Sequence, residues 1–213
     1  MYNKKNASSR RDECMINRLR TIFRKMRSYL RITQMTPIAR RYFIKNGFDG
    51  SMTMLGIIVG SWIVGVTEPE IIVTAGLGAC LAMGVSGLFG AYMTERAERK
   101  RQLKSLEAAM LTDLSDSILN DASDFVSAYA AIVDGASPML TAVVSLVPFV
   151  LTLTGAFVIS DAYVVSIILT LATLFSLGLY LGRIAKENLL LYGVQTLAAG
   201  ILIVAIIVLF GAI

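Results

Sequence analysis

The chain has no histidine, two cysteines, four prolines and one tryptophan among 213 residues, and only 16% of it is charged. The absence of histidine excludes His-ligated haem, imidazole proton relays and most zinc sites. Cys14 and Cys80 stand on different sides of an expected membrane boundary and offer neither a disulfide pair nor a zinc spacing. There is no nucleophile elbow, P-loop or dinucleotide fingerprint, and Gly76 and Gly78 lie inside an apolar run where they carry no phosphate meaning. The chain is therefore read as no enzyme, and no resident cofactor is expected.

Basic residues are also missing from two places where a soluble protein would have them. Five apolar runs cover 47–66, 71–94, 138–159, 162–182 and 189–213, and the gaps 67–70 and 160–161 hold no Lys or Arg. Runs of this length predict membrane-spanning helices. Apolar side chains make up 55% of the chain and the mean hydropathy is +0.67, far from an ordinary soluble domain. All twenty Lys and Arg residues lie at 4–45, 96–104, 183 and 186. Cytoplasmic segments are the ones enriched in these residues, so the N-terminus is expected inside and the C-terminus outside. The expected architecture is an all-α membrane protein with five spans. Its parts are a basic cytoplasmic arm (1–46), spans one and two (47–94), a helical cytoplasmic insert (95–137) and spans three to five (138–213).

The arm carries thirteen Lys and Arg against Asp12 and Glu13, and residues 15–32 pattern as an amphipathic helix with a basic face. Such a helix lies in the headgroup plane, so anionic lipid rather than nucleic acid is the expected partner. The basic stretch is too long for an ordinary cleavable signal peptide. Thr36-Pro37 reads as a cap and first-turn proline opening a second short helix. Gly56 and Gly60 form a GxxxG, and Gly76, Gly78, Gly84, Gly87 and Gly90 crowd the second span. Small residues at such spacings allow close helix approach.

Candidate chemistry falls in two places. Asp49 stands at the mouth of the first span, where a carboxylate costs about 2.5–3.5 kcal/mol at the bilayer centre and signals function by default. The alternative is an interfacial cap within Asn46–Gly50, where that cost is small. The insert is the second place. Residues 95–111 continue the second span as a helix. A further helix over 113–133 ends at Gly135, with Pro138 starting span three. Glu95/Glu98, Asp113/Asp116 and Asp121/Asp124 are spaced three apart, and Glu107 lies between them. Carboxylates at that spacing converge on a hard divalent cation, or else form an ordinary solvated face. Pro148 interrupts the hydrogen bonding of span three and frees a carbonyl.

Four segments resemble the vacuolar iron transporter family: Asn46–Gly50 opening span one, Ser86–Tyr92 ending span two, Pro138 with Val147-Pro148-Phe149, and Gly193–Thr196 with Gly200. The likeness covers about 43–213. It implies export of Fe²⁺ or Mn²⁺ from the cytoplasm by proton antiport, through a pore at a homodimer seam. It also implies that Asp49 binds the metal and that Glu95, Glu98, Glu107, Asp113, Asp116, Asp121 and Asp124 collect it. The family's span-two Met corresponds to Gly87, its upstream Glu to Ala79 and the acid before its Tyr to Ala91. Loss of the Met removes a soft ligand. A prokaryotic cell membrane is the expected location. The rival readings are a non-transporting membrane scaffold and a carrier of another small cationic solute.

Overall fold

The structure, a computed structural model, describes residues 35–114 and 117–211. The amphipathic helix expected over 15–32, the lipid-binding arm before residue 35, Cys14 and Asp116 lie outside the described residues. Five α-helices follow one another among those described: α1 (Met35–Val64), α2 (Pro69–Met110), α3 (Ile118–Leu153), α4 (Ile159–Ala185) and α5 (Leu189–Gly211). Each is long and apolar enough to cross a membrane. The all-α class and the five apolar helices are thus as the sequence predicts.

Short connections make consecutive helices antiparallel neighbours. Gly65 takes a positive φ of 78° in the turn after α1, a conformation that costs glycine little. Pro69 opens α2 in the first turn, where its missing N–H is no loss. Roughly 20 residues cross a bilayer core, whereas the 42 residues of α2 extend about 63 Å. The charged part of α2 from Glu95 onward is the surplus, as expected, and projects beyond the apolar layer. The start of α3 accompanies it. Because the helices alternate in direction, Arg40, Arg41 and Lys45, the bases of Arg96–Lys104, and Arg183 with Lys186 all fall at one end.

Three expectations are corrected. First, α1 runs unbroken from Met35, so Thr36-Pro37 starts no separate short helix and Asp49 sits mid-helix rather than at a cap. Pro37 lies in the first turn, where a helix tolerates it. Second, α3 continues through both Gly135 and Pro138. Gly135 breaks nothing because it is pressed against α2: a Cβ there would stand 2.6 Å from Gly84 O. Pro138 is likewise clamped, with a Cβ on Gly50 coming within 2.7 Å of Pro138 Cα. Third, the turn between spans three and four falls at 154–158 rather than 160–161, because Gly155 takes the positive φ (76°) and Asp161 belongs to the first turn of α4.

The glycines that bring helices together are also not the pair the spacing singles out. A Cβ at Gly60 would meet nothing within 4 Å among the described residues, whereas Gly50, Gly76, Gly84 and Gly135 have no room for one. The interior between α1, α2, α3 and α4 is built on Met54, Ile58, Ile72, Leu146, Phe149 and Tyr163. Phe149 meets Tyr163 edge-on at 5.1 Å, and Tyr163 Oη donates to Val66 O at 2.8 Å, tying α4 to the α1–α2 turn. Buried hydroxyls link α3 to α4: Thr170 Oγ1 donates to Ser145 Oγ at 2.7 Å, and Ser166 Oγ donates to Ser145 O. Interhelical bonds of this kind average about 0.6 kcal/mol in membranes. Met35, Ala39, Val126 and Ala130 seal α1 to α3 at the basic end.

Candidate functional site

Three helices cross closely at Gly50, Pro138, Gly135 and Gly84, and a cavity of about 520 Å³ opens beside that crossing. α1 contributes Tyr42, Lys45, Asn46 and Asp49 to its wall, α2 contributes Ser86 and Gly87, and α3 contributes Asp134 and Pro138. Asn46 and Asp49 reach the same cavity because they lie three apart on one helix face.

Asp134 is the most deeply buried acid of this wall, with 8% of its surface exposed. Asn46 Nδ2 donates to its Oδ1. Its Oδ2 stands over Gly87, where an added Cβ would come within 2.9 Å of it. Oδ2 accepts no hydrogen bond among the described residues. The main-chain carbonyl of Asp134 faces the same glycine, 3.2 Å from that Cβ position. This carbonyl is four residues before Pro138, which has no N–H to give it. Two oxygens of one residue therefore lie so close to Gly87 that a side chain there would crowd both. Asp49 is exposed, and its carbonyl accepts from Thr53 Oγ1 at 2.8 Å; its carboxylate has no hydrogen bond among the described residues.

No family model matches the chain. It is 34% identical over 170 residues to the uncharacterized protein MJ0645 of Methanocaldococcus jannaschii, an alignment covering 78% of this chain and 85% of the relative. The chain belongs to the family of that archaeal protein. The relative's name assigns no activity.

The acids of the insert are placed differently from Asp49. Glu95 accepts from Tyr42 Oη at 2.8 Å and pairs with Arg99 at 3.5 Å, the two side chains of that pair being only 12% and 13% exposed. Glu98 accepts from Gln102 Nε2 at 3.1 Å. Glu107 Oε1 accepts from Leu114 N at 3.0 Å and closes the end of α2. Asp124 pairs with Arg96 at 3.8 Å, while Asp121 lies in the first turn of α3, where the helix dipole favours a negative charge. Asp113 lies in the connection between α2 and α3 and is also partnered. Among the described residues no three His, Cys, Asp or Glu side chains come together as a metal-binding group.

Sequence reasoning missed Asp134 and Asn46. Asp134-Gly135 looks like a helix ending and Asn46-Gly47 like a cap. The available signal was the four-residue step from Asp134 to Pro138, which marks a carbonyl without its helical donor beside a carboxylate.

Proposed function

We propose that the chain is a membrane transporter that exports a divalent transition metal, Fe²⁺ or Mn²⁺, from the cytoplasm in exchange for protons. The observation that carries this reading is Asp49, a carboxylate midway along an apolar helix that faces a cavity shared with a second carboxylate. Intramembrane acids are rare because they are costly, and they mark ion or proton pathways. A group that alternates between a dehydrated cation and a proton is neutralised in both states, which offsets that cost. The resemblance to vacuolar iron transporters supports the same assignment for Asp49.

The basic end is the cytoplasmic one in this reading, following the placement of Lys and Arg. The N-terminal arm then meets anionic lipid, and the acids of the insert attract cations to the mouth without ligating them as a closed cluster. A homodimer is supported by α2. Gly78, Ala82, Ser86 and Gly90 recur every four residues and are all exposed. A small-residue stripe of this kind is a common seam between membrane helices. Ala82, Ser86 and Gly90 also line the cavity, so a second copy packed there would supply its missing wall. The membrane is assigned as that of a prokaryotic cell.

A second reading, a non-transporting membrane scaffold, is favoured by the intramolecular pairing of the insert acids and the lack of a three-ligand cluster among the described residues. One experiment separates the two. Cells sensitive to excess iron or manganese should gain tolerance on expressing the chain and lose it with Asp49→Asn at equal membrane abundance. A scaffold would give no tolerance with either form.

A further inference from the structure

We infer that Asp134 forms, with Asp49, an all-oxygen site at Gly87 that selects hard divalent cations of the Mn²⁺ and Mg²⁺ class over sulfur-seeking ones. This rests on the transport reading and narrows its cargo.

Asp134 Oδ2 and its main-chain carbonyl both lie against Gly87, and among the described residues Oδ2 accepts no hydrogen bond. Asn46 takes the other carboxylate oxygen. Pro138 has no N–H for the carbonyl. Oδ2 is open to the cavity, and a carboxylate oxygen beside a released carbonyl on that wall favours a positive guest. A hard cation with carboxylate, carbonyl and water ligands matches that pair. Ser86 and Asp49 offer further oxygens from the same wall.

Any side chain at position 87 would start 2.9 Å from Oδ2, so this position holds either a ligand of its own or room for Asp134, never both. Met83 is the one sulfur in the wall, a turn away from Gly87. Lys45 also lines the cavity, and its charge opposes a bound cation. It is exposed and carried on a four-carbon stem, so its ammonium can leave toward the basic end.

Mn²⁺ binding to the purified full-length chain in detergent, read by its electron paramagnetic resonance signal, tests this. Wild type should bind Mn²⁺ and release it to excess Mg²⁺. Asp134→Asn should weaken Mn²⁺ at least ~10-fold, since loss of even an outer-shell partner costs about 10–100-fold. Gly87→Ala keeps every ligand but crowds Oδ2 and should weaken binding severalfold, which covers the case in which Asp134→Asn fails to fold. Lys45→Gln should tighten binding, and Met83→Leu should leave it unchanged. If wild type binds Mn²⁺ but Asp134→Asn and Gly87→Ala bind it equally well, or if Met83→Leu abolishes binding, this site is wrong while metal transport stands. If wild type neither binds nor moves any divalent cation, the transport reading and this inference fall together.

Discussion

Glu95 and Asp134 show how two acids from one end of the same bundle come to differ in role. Glu95 is satisfied from two sides, by the Tyr42 hydroxyl at 2.8 Å and by Arg99 at 3.5 Å, and it fixes the start of α1 to the projecting part of α2. Hydrogen bonds to charged groups contribute about 1.5–3 kcal/mol. Glu95→Gln should accordingly lower the melting temperature, with a loss of about 1–3 kcal/mol, and leave metal affinity near wild type. An unchanged melting temperature with lost affinity would instead make Glu95 a metal ligand. Among the described residues, Asp134 has a hydrogen bond only from Asn46, and its second oxygen is left to the cavity. Asp49 differs again, with no side-chain hydrogen-bond partner among the described residues. The sequence made Asp49 visible because an acid in an apolar run is conspicuous. It hid Asp134, because an acid before a glycine reads as a helix end, and only the crossing of α2 shows that the helix goes on.

At the scale of elements, α3 decides the site. Its Gly135 and Pro138 look like punctuation and act as contact points, one against α2 and one against α1. Gly135→Leu should wedge α2 from α3 and cost about 1–3 kcal/mol or more, seen as a lower melting temperature or loss of folded protein. Pro138→Ala works the other way. It returns an N–H to Asp134 O, so the helix should be no less stable, given the ~3 kcal/mol that separates Pro from Ala in helix interiors. The carbonyl would then be occupied, and Mn²⁺ affinity should fall. Wild-type affinity in Pro138→Ala would remove the carbonyl from the ligand set. The long apolar runs and the continuation of α2 past Glu95 were legible because each rests on a local pattern. The continuity of α3 was not, because the tertiary contacts that make glycine and proline tolerable there join residues some 50 to 90 positions apart.

For the whole molecule, the exposed faces carry the remaining information. α2 presents Leu81, Val85, Phe89 and Met93, and α5 presents Leu190, Leu202, Leu209 and Phe210. Surfaces this apolar are stable against lipid or against a second copy. The stripe from Gly78 to Gly90 distinguishes the two, since a Cβ at either end would meet nothing within 4 Å among the described residues. A bulky residue there therefore leaves the protomer intact and harms only an association. The double variant Gly78→Leu, Gly90→Leu should run as a monomer in light scattering of the detergent-solubilised protein while wild type runs as a dimer. Equal masses would place the dimer seam elsewhere or remove it.

Export requires a cation to pass through the cavity that Asp49 faces. Proteoliposomes with a Mn²⁺-sensitive dye inside and an outward proton gradient absent or imposed measure this directly. Wild type should move Mn²⁺ faster when protons are driven the opposite way, and Asp49→Asn should reduce that flux to the level of empty liposomes. Flux in the Asp49→Asn protein equal to wild type, or none above empty liposomes in either, would contradict it.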